Sequence, residues 1–168
     1  MCQFEGRTKR ILATFTLARK HKVTTFLNAA PARTELSLAD PLFSLTDLLC
    51  INQTECGALV GDELRSLDEF EAAIPKILAS GPQLVIVTLG ADGALVGSRG
   101  ADGEWTSSTP RVPATASAGP FAYFFLQSNG DFVLAAKKAA RIAALSVTKA
   151  GNQNSYPTVE TLKELDIL

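Results

Sequence analysis

Three short polar motifs in this 168-residue chain carry the residue types that could bind a ligand. Thr88-Leu-Gly-Ala-Asp-Gly93 closes an unbroken apolar run over residues 84–87. Glycines at the carboxyl end of a strand let a ligand approach bare backbone, and amides in such a turn can cradle an anion. A plain β-turn into the second apolar run, residues 94–96, accounts for the same spacing, because two glycines three apart are a weak signal. Asn52-Gln-Thr-Glu55 sets an amide and a carboxylate three residues apart at the opening of a helix, and Asn28-Ala-Ala-Pro-Ala32 reads as a turn-like loop. His21 is the single histidine, which nearly excludes a histidine-based triad or a multi-histidine metal site, and it sits among Arg19, Lys20 and Lys22 at a solvated helix end.

The elements that must position these motifs follow from periodicity. Apolar residues recur at Ile11, Phe15 and Ala18, predicting an amphipathic helix over residues 7–22 with a basic end suited to a helix C-terminus. Strands are predicted over residues 2–5, 23–27, 47–51 and 84–87, with a short helix near residues 42–45 and another from Asn52 to a stop at Gly61. Ser66-Leu-Asp-Glu69 is a capping box for a helix to about Ser80, closed by Gly81-Pro82. A Gly-rich hairpin over residues 97–103 follows, with Trp105 packed on it, and then a small-residue loop over residues 112–119. After the apolar run 121–126, Asn129-Gly-Asp131 caps a long alanine-rich helix to about Lys149, and Thr158 opens a last one. Alternating strand and helix argue for an α/β fold with a mainly parallel sheet, where ligands sit outside the strands' carboxyl ends. All three motifs fall at that edge.

The chain is long enough for a sizeable core and reads as a single domain over residues 1–168. A hydrophobic content of 46% and a net charge of −1 place it among soluble globular proteins. No basic patch exceeds a short helical face, so nucleic acid is not an expected partner, and no apolar stretch approaches the ~20 residues of a membrane span. Cys2, Cys50 and Cys56 form no C-x-x-C pair and leave one over, which suits a reducing compartment, the cytoplasm with the nucleus left open.

Taken in order, the motifs resemble those of ribokinase, within the PfkB-type family of sugar and nucleoside kinases. Gln3-Phe-Glu5 is similar to Q-L-E, Asn28-Ala-Ala-Pro-Ala32 to N-P-A-P-A, Asn52-Gln-Thr-Glu55 to N-x-x-E, and Thr88 to Gly93 to T-L-G-x-x-G. Ala143-Ala-Leu-Ser-Val147 with Gly151-Asn-Gln-Asn-Ser-Tyr-Pro157 is similar to the closing A-A-x-S-V…G-x-Q-x-S-Y-P. The resemblance implies a Rossmann-like three-layer α/β/α fragment corresponding to the family's C-terminal, nucleotide-binding half. The N-terminal sugar-binding half and its lid have no counterpart. By the same resemblance Glu5 touches ribose, while Asn52 and Glu55 organise magnesium and phosphate. Thr88, Leu89, Gly90, Ala91, Asp92 and Gly93 hold ATP through backbone amides, with Gly119 in the anion hole. Ser146, Lys149, Gly151 and Ser155 surround a potassium-like ion. Asn52 and Glu55 can also simply cap a helix, and Ser155 can simply bond a turn.

The chain departs from the family at D-T-x-G-A-G-D, where the last Asp is the catalytic base. The aligned residues are Ala114-Thr-Ala-Ser-Ala-Gly-Pro120, with Pro120 at the base position, and a short segment that follows in the family is absent before Phe121. Ala140 stands where the family usually has Asn near the adenine. The lineage therefore implies ATP-dependent phosphorylation of D-ribose to ribose 5-phosphate, while the residues imply a chain without turnover. That chain would be a catalytically dead nucleotide-binding or interaction module, a homodimer or a partner of an intact subunit, or a truncated product without function.

Overall fold

Apolar runs become strands and amphipathic stretches become helices in this computed structural model, which describes residues 1–3, 7–33, 37–100, 105–108, 118–129, 131–146, 148 and 153–168. The chain divides into two units, Met1–Thr88 with Leu95–Thr109, and Leu89–Ala94 with Pro110–Leu168.

The first unit alternates β1 (Cys2–Gln3), α1 (Thr8–Lys20), β2 (Phe26–Asn28), α2 (Pro41–Ser44), β3 (Leu48–Asn52), α3 (Gln53–Val60), α4 (Leu67–Ala79) and β4 (Leu84–Thr88). It then closes with β5 (Ala94–Arg99) and β6 (Trp105–Ser108). The six strands lie in sequential order, β1 to β4 parallel and β5 with β6 antiparallel. This is the α/β fold with a mainly parallel sheet that the alternation predicts. The strands β3 and β4 are buried except at their last residues, as a strand covered on both faces requires. Helix α4 buries Phe70, Ala73, Ile74, Ile77 and Leu78, the i, i+3, i+4 pattern of one face. It lies flat on the sheet because Gly97 of β5 has no side chain: a Cβ there would overlap Ile74. Both ends of the capping box are made, Ser66 Oγ accepting from the Glu69 amide and Glu69 accepting from the Ser66 amide.

One expected strand starts late. Lys22 adopts a left-handed conformation (φ 54°), and the Val23 amide donates back to Ala18 O at 2.9 Å. Residues 21–23 thus finish the helix rather than enter the sheet.

The register of the sheet is set at its amino edge. Asp47 Oδ2 accepts from the Thr25 amide at 2.7 Å and from Thr25 Oγ1 at 2.9 Å. The Asp47 amide in turn donates to Thr25 Oγ1 at 2.9 Å, and Asp47 O accepts from the amides of Gln83 and Leu84. One residue therefore ties the starts of β2, β3 and β4, placing Phe26 opposite Leu48 and Leu48 opposite Leu84.

The second unit holds the turn 89–94, α5 (Ala118–Gln127), α6 (Phe132–Ser146) and α7 (Val159–Glu164). The apolar run 121–126 is helical. Phe121 and Phe124 are buried, and Lys138 Nζ of α6 stands 5.3 Å from the centre of the Phe124 ring. Asp131 caps α6 by accepting from the Leu134 amide at 2.9 Å, as the sequence predicts. Alanines 135, 136, 139, 140 and 143 form its buried face. Arg141 joins α6 to the end of α7, donating to Leu165 O at 2.6 Å and Asp166 O at 3.3 Å. No described helix is long and apolar enough to cross a membrane.

Asp47 and its exposed partner Arg19 allow a graded test. Asp47→Ala strands the buried Thr25 amide, whereas the Thr25 hydroxyl keeps its 2.7 Å bond to Leu45 O, and the substitution is expected to cost about 1–3 kcal/mol. The 3.1 Å pair with Arg19, whose side chain is 48% exposed, is worth less than about 1 kcal/mol, and Arg19→Ala should cost no more. Urea unfolding of both variants decides it, and equal losses would contradict the account.

Candidate functional site

At the carboxyl edge of the first unit's sheet, β3 ends on Asn52, directly opposite Thr88 of β4. Asn28 ends β2 two steps lower, opposite Cys50, and the Ala29 amide continues the ladder to Cys50 O at 3.0 Å. Asn52 is the N-cap of α3. Its Oδ1 accepts from the Glu55 amide at 2.9 Å, and Glu55 Oε2 accepts from the Asn52 amide at 2.8 Å. The plainer reading of this motif, a helix cap, is thus fulfilled in full. Thr88 Oγ1 points back to Ile51 O at 3.4 Å, a long contact that keeps the two strand ends together.

Glu55 is unusual for a capping carboxylate because it is only 4% exposed. Burial pushes its pKa up, and the two bonds with Asn52 offset only part of that shift. Burial, with the Glu55 charge second, also pushes the Cys50 thiol up to about 12. Burial alone raises Cys56 to about 12, so both thiols stay protonated and unreactive at neutral pH. The sequence motif identifies Glu55, but its burial beside Cys50 is visible only once β3 and α3 are placed.

Among the described residues no three His, Cys, Asp or Glu side chains group to hold a metal ion. Mg²⁺ carried on a triphosphate keeps several waters and takes one or two carboxylates, a demand that Glu55 can meet. Of the residues the resemblance assigns to a potassium-like ion, Lys149 and Gly151 lie outside the described residues. Ser146 Oγ donates to Ala143 O at 2.8 Å, and Ser155 is buried. Glu5, the ribose contact, also lies outside the described residues, as do residues 111–117.

In the second unit the turn 89–94 is wound tightly. The Leu89 amide donates to Gly93 O at 2.8 Å, that of Asp92 to Leu89 O and that of Gly93 to Gly90 O. An anion at this turn would therefore be met by the amides of Gly90 and Ala91, fewer than the motif suggests. Gly90 (φ 60°) and Gly93 (φ 92°, ψ −131°) take conformations that side chains resist, and no atom crowds the Cβ position of Gly90. Backbone shape, rather than space, requires that glycine. Gly119 and Pro120 occupy the second and third positions of α5, within the first turn, where amide groups point out of the helix end. Proline removes one of those amides. Gly119 is exposed with open space at its Cβ position, and Ala140 is fully buried.

A cavity of about 720 Å³ adjoins the carboxyl edge of the sheet in the first unit, between α3 and α4, lined by Gln53 and Thr54 of the Asn52–Glu55 motif and, among others, by Gly57, Asp62, Leu64 and Phe70. Of its walls only Gln53 and Thr54 fall in a sequence motif, because the rest comes from two helices and the loop joining them.

Glu55 gives this edge a pH signature. Its carboxyl is held protonated to a higher pH in the fold than in the unfolded chain, so folding takes up a proton above the ordinary carboxylate range. Stability should fall as pH rises through that window and through the raised value, whereas below it both states are protonated and the penalty vanishes. Glu55→Gln removes the penalty while keeping an acceptor for the Asn52 amide. The variant should gain on the parent as pH rises above about 4 in urea unfolding. A difference that does not change with pH would contradict this.

Comparison with known proteins follows the same outline. Residues 3–159 match the pfkB family of carbohydrate kinases. A deoxyribokinase of Salmonella typhi is 32% identical over 167 residues, covering 96% of this chain and 54% of its own. A ribokinase of Mus musculus is 31% identical over 166 residues, covering 94% and 50%. The structure of Arabidopsis thaliana ribokinase complexed with ribose and ATP superposes with a TM-score of 0.79 at 19% identity, covering 97% of this chain and 54% of that one, a likeness of fold. The chain spans about half the length of the curated relatives it matches. On the strength of the match to residues 3–159, this chain belongs to the pfkB family of carbohydrate kinases.

Proposed function

We propose that this chain is the nucleotide-binding part of a ribokinase-type sugar kinase, by lineage an ATP-dependent enzyme making ribose 5-phosphate, and that by itself it does not transfer the phosphoryl group. The observation that carries the first half is the Asn52–Glu55 pair, closed at 2.8 and 2.9 Å on the carboxyl end of β3 in register with Thr88. That edge is where an open α/β sheet binds its ligand. Roles are proposed for each unit separately. In the first, Glu55 takes Mg²⁺ borne by the nucleotide, Asn52 faces phosphate, and Glu5 faces the sugar. In the second, Gly90 and Ala91 of the turn 88–93 offer amides to ATP. Gly119 lies at an anion-binding helix end, and Ser146, Lys149, Gly151 and Ser155 surround a monovalent cation.

Pro120 supports the second half. Phosphoryl transfer depends on positioning and on stabilising charge, helped by a base that accepts the hydroxyl proton. In the first turn of α5 this residue supplies neither a proton acceptor nor an amide. The same observation favours a second reading, a non-catalytic nucleotide-binding module that acts beside an intact subunit.

An assay of ADP release with ribose, ATP and Mg²⁺ tests this reading on the chain and on Pro120→Asp. Neither is expected to turn over. A restored base alone is worth ~10²–10⁴ in rate, but positioning of the sugar can account for ~7–11 kcal/mol and is not restored by one side chain. Ribose-dependent turnover by the unmodified chain would refute the assignment of Pro120, and turnover by Pro120→Asp alone would show that positioning is intact.

A further inference from the structure

Charge on the first unit is segregated. Residues 7–22 contain Arg7, Lys9, Arg10, Arg19, Lys20 and Lys22 and no carboxylate. Residues 62–71 contain Asp62, Glu63, Asp68, Glu69 and Glu71 against the single cation Arg65. Arg65 is taken by Glu63 at 2.8 Å in an exposed pair and Glu69 accepts from the amides of Arg65 and Ser66, which leaves Asp62, Asp68 and Glu71 without an ion pair among the described residues. The two faces belong to α1, which crosses between β1 and β2, and to the α3–α4 connection, whose second helix lies over β4 and β5. They are separated by roughly three strand spacings of ~4.8 Å, beyond a Debye length at ~0.1 M salt. Within one copy they do little to neutralise each other.

The faces also pair an exposed apolar side chain with a cavity. Ile11 and Phe15 turn the buried side of α1 to the core, so Arg10, Thr14 and Leu17 form its outer ridge, with Lys20 one turn further on. Leu17 is 58% exposed, a large apolar side chain set between cations. Thr14 Oγ1 donates to Arg10 O at 2.9 Å, which satisfies the hydroxyl inside the helix. The cavity of about 720 Å³ between α3 and α4 offers a seat, with Leu64 and the largely buried Phe70 among its walls, Gln53 and Thr54 on its other side and the Asp62 carboxylate at its rim.

We propose that the chain self-associates head to tail, the ridge of α1 on one copy seating Leu17 in the acidic-rimmed cavity between α3 and α4 of the next. The two surfaces are different patches of one molecule, so the contact is heterologous and adds copies without closing at a dimer. Opposite charges at its rim make it steeply salt-dependent.

Sedimentation equilibrium of the full chain at ~0.02 M and ~0.5 M NaCl tests the proposal. At low salt the mean mass should climb past the dimer with concentration, and at high salt it should fall to the monomer. Arg10→Glu/Lys20→Glu and Asp62→Lys/Asp68→Lys, each checked for native circular dichroism, should associate at least about tenfold more weakly. Their equimolar mixture should associate again, since each restores the other's complement. A parent chain that is monomeric at low salt overturns the proposal, and the salt series needs no variant. So does association that survives either reversal. So does a monomer whose basic ridge binds phosphatidylserine vesicles and loses them in Arg10→Glu/Lys20→Glu, which would give that ridge to a membrane surface.

Discussion

The Thr25–Asp47 clasp is the constraint on which the first unit depends. Parallel strands carry no hairpin to fix their register, and a slip of one residue would turn every side chain to the opposite face. Asp47 prevents the slip by engaging the amide and hydroxyl of Thr25 and by accepting from the amides that open β4. Thr25 is 2% exposed, so its amide relies on Asp47, while its hydroxyl is shared between Asp47 and Leu45 O, the latter at 2.7 Å. With the amino ends fixed, five residues of β3 deliver Asn52 to the same level as Thr88. The ligand edge is thus set by a polar contact at the other end of the sheet.

What that edge can do follows from how its polar groups are already occupied. Asn52 and Glu55 satisfy each other across the first turn of α3, and Glu55 pays for its burial with a raised pKa. A divalent cation arriving with phosphate would favour the ionised carboxylate and relieve that penalty, which couples ligand binding to the stability of the helix start. Pro120 brings neither carboxylate nor amide to the first turn of α5. Family membership gives a carbohydrate kinase lineage, and the proposal that this chain does not turn over rests on this residue.

Much of this was legible in the residues. Capping boxes at Ser66–Glu69 and Asn52–Glu55, and the cap at Asp131, are local hydrogen-bond patterns that depend on few neighbours, and all three form. The apolar run 84–87 is a strand for the reason its composition suggests, burial on both faces. The late start of β2 was not legible, because left-handed Lys22 draws the next amides back to α1. The Thr25–Asp47 clasp joins residues 22 apart and leaves no periodic trace. The turn at Gly90 and Gly93 was found by its glycines, yet the number of amides spent inside it could be counted only in three dimensions.

Hydrogen exchange of the chain with and without millimolar MgATP measures the central claim, that the carboxyl end of β3 and the start of α3 form a nucleotide-binding edge. Slowed exchange should centre on the amides of residues 52–56, with the core of β3 already protected in both states. Unchanged exchange at residues 52–56, or protection confined to the α3–α4 cavity around residues 62–70, would contradict it.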